Sequence, residues 1–286
     1  MNTADRLVFR ILSLQVRLYH DFVRVKESTD SEALHDLRID VRRLRSVLRP
    51  LRASSEIASL DQAAAAVANL TTRARDLEVL IAELKRHGQA RQAITRQAAL
   101  HALYSRVKRS SVIPTLLTAL DDCPEAVRAV ENERGSHRLK IRIQRAVCKQ
   151  LKRLEHAIET PGFDRHRLRS TLKRVRYLIE AFPSISPISR EAVQAMAATQ
   201  TALGKWHDLD LWCQLSFKED DLQRLRHDWS QRTEAALDNA EVHLRSLAHR
   251  LPKTKVSRVA VRGLPAAHTA DNPFEGVIDV ETGLPV

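Results

Sequence analysis

The sequence predicts an all-α protein, and three observations carry the prediction. The 286 residues include only seven glycines and 4% aromatics, while alanine, leucine, arginine and glutamine, which lose little rotamer freedom in a helix, are abundant. Apolar residues recur at intervals of three and four, as in Leu34, Leu37, Val41, Leu44 and Leu48, the spacing of one helix face. Proline and glycine are confined largely to a few breaks between such stretches. A hydrophobic content of 43% provides an ordinary buried core for a chain of this length.

The elements follow in order. Residues 5–24 read as an amphipathic helix, and a second opens at TDSE (29–32), where the spacing matches a capping box. That helix carries HDLRIDVRRLR (35–45) and ends near Pro50, because proline disfavours helical geometry in the residue before it. A long helix spans about 61–87 with Gly88 as its C-terminal cap, another spans about 91–109, and a short one follows Pro114. The stretch DDCPE (121–125) reads as a break, after which a strongly basic helix runs from about 135 to 159 and stops at Pro161 and Gly162. Helical patterns resume at 164–181, 188–215 and 219–250. Residues 251–286, rich in proline and glycine, are expected to form a disordered tail.

An internal repeat organises these elements. At an offset of 131, His35, Arg38, Arg42, Arg43 and Arg45 fall on His166, Arg169, Lys173, Arg174 and Arg176, and Leu37, Val41 and Leu44 fall on Leu168, Leu172 and Val175. At an offset of 132, Arg6, Arg10 and Arg17 fall on Arg138, Arg142 and Lys149, and RARDLEV (73–79) falls on KWHDLDL (205–211). Two copies of a unit of about 130 residues and roughly four helices are expected, 1–125 and 126–250.

The formal net charge is +12, so polyanions are the expected partners, whether nucleic acid, an anionic membrane or a phosphate polymer. Three widely spaced cysteines argue against a disulfide framework and a zinc site and fit a reducing cytoplasm. No apolar run approaches the roughly 20 residues that span a bilayer, so neither membrane insertion nor secretion is expected.

The charge is arranged in stripes. On one helix face lie His35, Arg38, Arg42, Arg45 and Arg49, beside the apolar line, which places them at the rim of the buried face. Arg43 has Asp40 three residues before it and Arg176 has Glu180 four residues after, so ordinary ion pairs account for those two. Arg38, Arg42, Arg45, Arg169 and Lys173 have no acid at either spacing and face like charges instead, an arrangement costing about 0.2–0.5 kcal/mol per pair that a ligand or a distant acid must offset. Arg138, Arg142, Arg145, Lys149 and Lys152 repeat the pattern within a stretch (134–153) holding eight basic residues and no acid. Arginine dominates, and its planar fork engages phosphate oxygens in pairs. His35 and His166 either donate to phosphate when protonated or pack against neighbours. Asp76 and Asp208 either orient stripe arginines or are plain surface aspartates.

Signatures of metal, nucleotide and nucleophile chemistry are missing from the sequence, and no acids that might hold magnesium cluster near the stripes. A binder is expected, not an enzyme, with no cofactor and no metal.

Two copies of HxxRxxx[RK]RxR, each followed by a helix bearing RD or HD before an apolar run, resemble the CHAD family, the conserved histidine α-helical domain, over about residues 5–250. The resemblance implies two four-helix bundles related by pseudo-twofold symmetry, with a basic groove or cavity between them that binds inorganic polyphosphate. It implies association with polyphosphate granules. By position it assigns His35, Arg38, Arg42, Arg43 and Arg45 to the first motif and His166, Arg169, Lys173, Arg174 and Arg176 to the second. Lys173 departs from the arginine-rich pattern, keeping charge but losing the fork. No ExExK signature of a fused triphosphate tunnel domain occurs, so a standalone module is expected. RNA or DNA backbone binding remains an alternative, weakened because only Tyr177 adjoins a stripe to offer stacking, as does docking of an acidic protein.

Overall fold

Leu34, Leu37, Val41, Leu44 and Leu48 are fully buried in a computed structural model that describes residues 3–252, so the helix bearing the first motif docks along the apolar line that its spacing predicts. That helix is α2 (Ala33–Leu48), and it follows α1 (Thr3–Glu27). The chain continues through a 3-10 turn at Arg49–Leu51, α3 (Ser55–Arg86), α4 (Ala90–Arg109), α5 (Val112–Asp121) and α6 (Cys123–Arg134). It then forms α7 (Ser136–Glu159), α8 (Arg165–Ala181), α9 (Arg190–Leu215), a second 3-10 turn at Asp220–Leu225 and α10 (Arg226–Arg250). The architecture is all-helical, with no strand among the described residues. None of these helices is long and apolar enough to cross a membrane. The tail expected at 251–286 lies outside the described residues from 253 onward.

The neighbour order recurs along the chain. In the first half α1 packs on α2, α2 on α3 and α3 on α4; in the second α7 packs on α8, α8 on α9 and α9 on α10. The two motif helices, α2 and α8, pack directly on each other, and α1 also meets α7. Helices α5 and α6 sit against α1 and α3 and link the halves. One apolar core runs through the assembly, from Ile11 and Leu14 of α1 to Trp229 and Leu247 of α10.

Three local expectations are corrected. No capping box forms at Thr29–Glu32: α2 starts at Ala33, Glu32 makes no side-chain cap, and the turn is held instead by Asp30, which accepts from the Glu32 amide at 2.9 Å and pairs with Arg24. The break read at DDCPE is a helix start. Pro124 occupies the first turn of α6, where its missing amide would have no helical partner in any case. Helix α3 begins at Ser55, six residues before the expected 61, because SEIASL continues the apolar spacing through buried Ile57 and Leu60. Gly88 does terminate α3, at φ +71 with its amide bonded to the Lys85 carbonyl at 3.2 Å.

Candidate anion-binding site

The contact between α2 and α8 brings the two motifs together. Arg38 and Arg42 project from α2, Arg169 and Lys173 from α8, and all four act electrostatically on Asp76 of α3. Asp208 of α9 lies within reach of Arg169, Lys173, Asp76 and Arg75. Cations from both halves of the chain therefore surround two carboxylates on the flanking helices. Four fixed positive charges against two carboxylates leave this cluster with an excess of positive charge, whichever way the acids titrate.

The cluster is open to water. Asp76 remains solvent-exposed although protein surrounds it closely enough for desolvation to push its carboxyl above the usual range, the combination that a cleft floor produces. Asp208 is shifted the same way, first by desolvation. The four cations are half-buried.

Each arginine is aimed by its neighbours. Arg38 donates through Nη1 to the Ala68 carbonyl at 2.9 Å, to Thr71 Oγ1 at 2.8 Å and to Thr72 Oγ1 at 3.1 Å, which ties α2 to α3. Arg169 sits deep enough for desolvation to lower its affinity for the proton, an effect that Asp208 opposes. Its Nε is buried without a hydrogen-bond partner among the described residues, a donor left for a ligand or water. The repulsion seen in the sequence is thus offset in part by distant acids.

The rest of the α2 stripe continues into a second basic group. Arg45 Nε lies 3.4 Å from Asp61 Oδ1, Arg52 pairs with the same buried carboxylate, and Arg49 stands beside Arg52 and Arg174. Burial pushes the Arg49 guanidinium down to about 10. Arg43 turns away and donates to Asp40 at 2.8 Å, and Arg17 of α1 bridges to the same carboxylate at 2.9 Å. Arg176 donates to Glu180 and Gln200, both at 2.7 Å, and lies over the Tyr177 ring. Arg10 donates to the Glu180 carbonyl oxygen, joining α1 to α8.

The stripe on α7 lies elsewhere. Arg138, Arg145 and Lys149 are exposed on its outer side, where Arg145 and Lys149 line an open hollow of about 590 Å³ with Lys152, Arg153 and His156. Arg142 faces a different cavity, of about 850 Å³, between α3, α5 and α6. Arg6 is exposed on α1. None of these side chains is among the main charges acting on Asp76, Asp208 or Arg169.

The two motif histidines differ in their surroundings. Desolvation lowers the His35 pKa, reinforced by Arg75. His166 shares a hydrogen bond of 2.9 Å with His207, lies 3.3 Å from Asp210 Oδ2 and packs on the Trp206 ring. His207, Trp206, Arg75 and Thr71 escaped the sequence reading. His207 and Arg75 occupy the position just before the aspartate in each HD or RD pair, and that adjacency was the available signal.

Desolvation, with Arg169, His166 and Lys173 nearby, depresses His207 to about 3, so it is neutral in the fold. Below its ordinary value of about 6.5 the unfolded chain takes up a proton that the folded chain refuses. Unfolding free energy therefore falls with acidification below that value, by at most about 1.4 kcal/mol per pH unit from this group. His35 adds to the slope, whereas Asp76 and Asp208, shifted upward, oppose it at lower pH. Thermal melts at pH 7.5 and 5.5 should show a smaller loss for His207→Gln than for the parent chain. Equal losses contradict the assignment.

A family model for the CHAD domain matches residues 12–216. The chain belongs to the CHAD family. Among solved structures, the crystal structure of the CHAD domain from the plant Ricinus communis is similar at a TM-score of 0.62 and 24% identity, over 87% of this chain and 88% of that one. At that identity the likeness shows the fold. No curated protein matches the chain. The matched stretch includes the whole of α2, α3, α8 and α9, so every residue of the recess lies within the CHAD region.

Proposed function

We propose that this CHAD protein binds inorganic polyphosphate in the α2–α8 recess without transforming it. The observation that carries the reading is the convergence of Arg38, Arg42, Arg169 and Lys173, two from each half of the chain, on one water-open recess. A polymer of phosphates without bases offers only charge and oxygen acceptors, and half-buried guanidinium groups match both. Asp76 and Asp208 hold the cations in place when no anion is bound. The second basic group, with Arg45, Arg49 and Arg174, extends the track beyond a single phosphate. Association with polyphosphate granules follows from the same reading.

A nucleic acid backbone carries the same charge but profits from exposed aromatic platforms. Tyr177 and Trp206, the aromatic residues beside the recess, are both buried. The reading therefore favours a baseless polyanion over RNA or DNA.

Competition titration at two salt concentrations tests it. Long-chain polyphosphate should displace a labelled polyphosphate probe at physiological salt, while RNA of matched charge and an acidic protein should displace it far less. Four neutralised phosphates correspond to a log–log salt slope of about −3. RNA competing as well as polyphosphate overturns the reading.

A further inference from the structure

The outer face of α1 carries an apolar stripe that none of the described residues covers. Phe9, Leu12, Val16, Tyr19 and Val23 are all exposed, Val16 at 69%, although the opposite face of the same helix supplies buried Leu7, Ile11, Leu14, Leu18 and Val25 to the core. Their spacing alternates three and four residues without a break, the a and d positions of a heptad, which is the pattern of a helix that packs along another helix. Five of the nine large apolar side chains exposed among the described residues belong to this one stripe. Scattered exposed apolar residues are ordinary, whereas a contiguous row marks an interface.

We infer that this stripe is a self-interface, on which α1 of a second copy packs antiparallel about a twofold axis. The charges beside the seam select that occupant. Arg6 and Glu27 lie on the same flank of the stripe, three heptads apart, both exposed, with no ion pair to either among the described residues. In an antiparallel pair with its axis between Val16 and Tyr19, Arg6 of each copy meets Glu27 of the other, so the complementary pair occurs twice. A parallel pair would leave Arg6 and Glu27 three heptads apart and neither of them paired. In the same register Val16 meets Tyr19 of the second copy and Leu12 meets Val23. Phe9 meets the stem of Lys26, whose ammonium reaches the ring face. A seam that satisfies itself on both sides of a twofold is the mark of an isologous contact. Other cations on that side have partners within their own chain: Arg17 has Asp40, Arg24 has Asp21, Asp30 and Asp36, and Arg10 donates to the Glu180 carbonyl oxygen. They add little repulsion to the approach of a second copy.

Sedimentation of the full chain over a wide concentration range tests the inference. The apparent mass should rise from 32.4 kDa toward twice that value as concentration increases. Val16→Arg, at a position too exposed to disturb the monomer core, should hold the mass at the monomer value while leaving the helical circular dichroism unchanged. Arg6→Glu and Glu27→Arg should each weaken association about five-fold, and the two together should restore it, because the swapped pair faces itself again across the axis. A parent chain that stays monomeric at the highest concentration, with the stripe covered by its own tail or by nothing, overturns the inference. So does a Val16→Arg variant that associates like the parent. Association that survives both single swaps, or fails to return in the double swap, overturns the antiparallel register.

Discussion

Alanine at Arg38, Arg42, Arg169 and Lys173 together lowers polyphosphate affinity by at least about 100-fold and leaves the helical circular dichroism in place. Hydrogen bonds to charged groups contribute about 1.5–3 kcal/mol each, and even heavily discounted for solvent the loss of four such contacts exceeds two orders of magnitude. The pairwise variants carry more information. Arg38→Ala with Arg42→Ala strips the first half, and Arg169→Ala with Lys173→Ala strips the second. If both halves line one recess, each pair costs a similar share of affinity. Arg38 also holds α3 through Thr71, Thr72 and the Ala68 carbonyl, so its truncation lowers the melting temperature as well. Arg42→Ala combined with Lys173→Ala therefore serves as the gentler variant, and its binding loss has to appear without a large stability loss. Parental affinity in either the quadruple or the gentler variant contradicts the site.

Asparagine at Asp76 and Asp208 produces the opposite pattern, tighter polyanion binding with little change in the stability of the free protein. Both carboxylates stand among the recess cations, and each is shifted upward first by desolvation and then pulled back by those cations. Removing their charge at constant shape leaves Arg38, Arg42, Arg169 and Lys173 facing one another, but it also relieves the desolvation that outweighs the attraction of those cations for the two carboxylates, so the melting temperature of the free protein changes little. An added polyphosphate chain then meets a more positive recess, and its stabilising shift in melting temperature grows beyond that of the parent. A purely orienting role predicts a fall in affinity instead. Melting curves with and without polyphosphate separate the two.

Much of this architecture was legible because its causes are local. The apolar line of α2 appeared as a three-four spacing, and its residues are buried without exception. The matching offsets of His35 with His166 and Arg38 with Arg169 placed both motif helices in equivalent positions of the chain, and α2 and α8 do pack together. Pairing of Arg43 with Asp40 and of Arg176 with Glu180 followed from helix geometry alone. What depended on tertiary arrangement was not legible. Asp61 is sixteen residues from Arg45, and nothing in the sequence announces that α3 returns it to the end of α2. The direction of the α7 stripe is of the same kind: a basic line at the right spacing, whose outward orientation is fixed by which of its faces meets α8. The start of α6 was missed for a different reason, since proline reads as a breaker unless the helix begins beside it.

A crystal structure of the chain with a polyphosphate of defined length tests the central claim most directly. The account predicts phosphates seated between α2 and α8, with oxygens on Arg42, Arg169 and Lys173 and the chain running on toward Arg49 and Arg174. Phosphates found only along the outer face of α7, with the α2–α8 recess holding water, would contradict it.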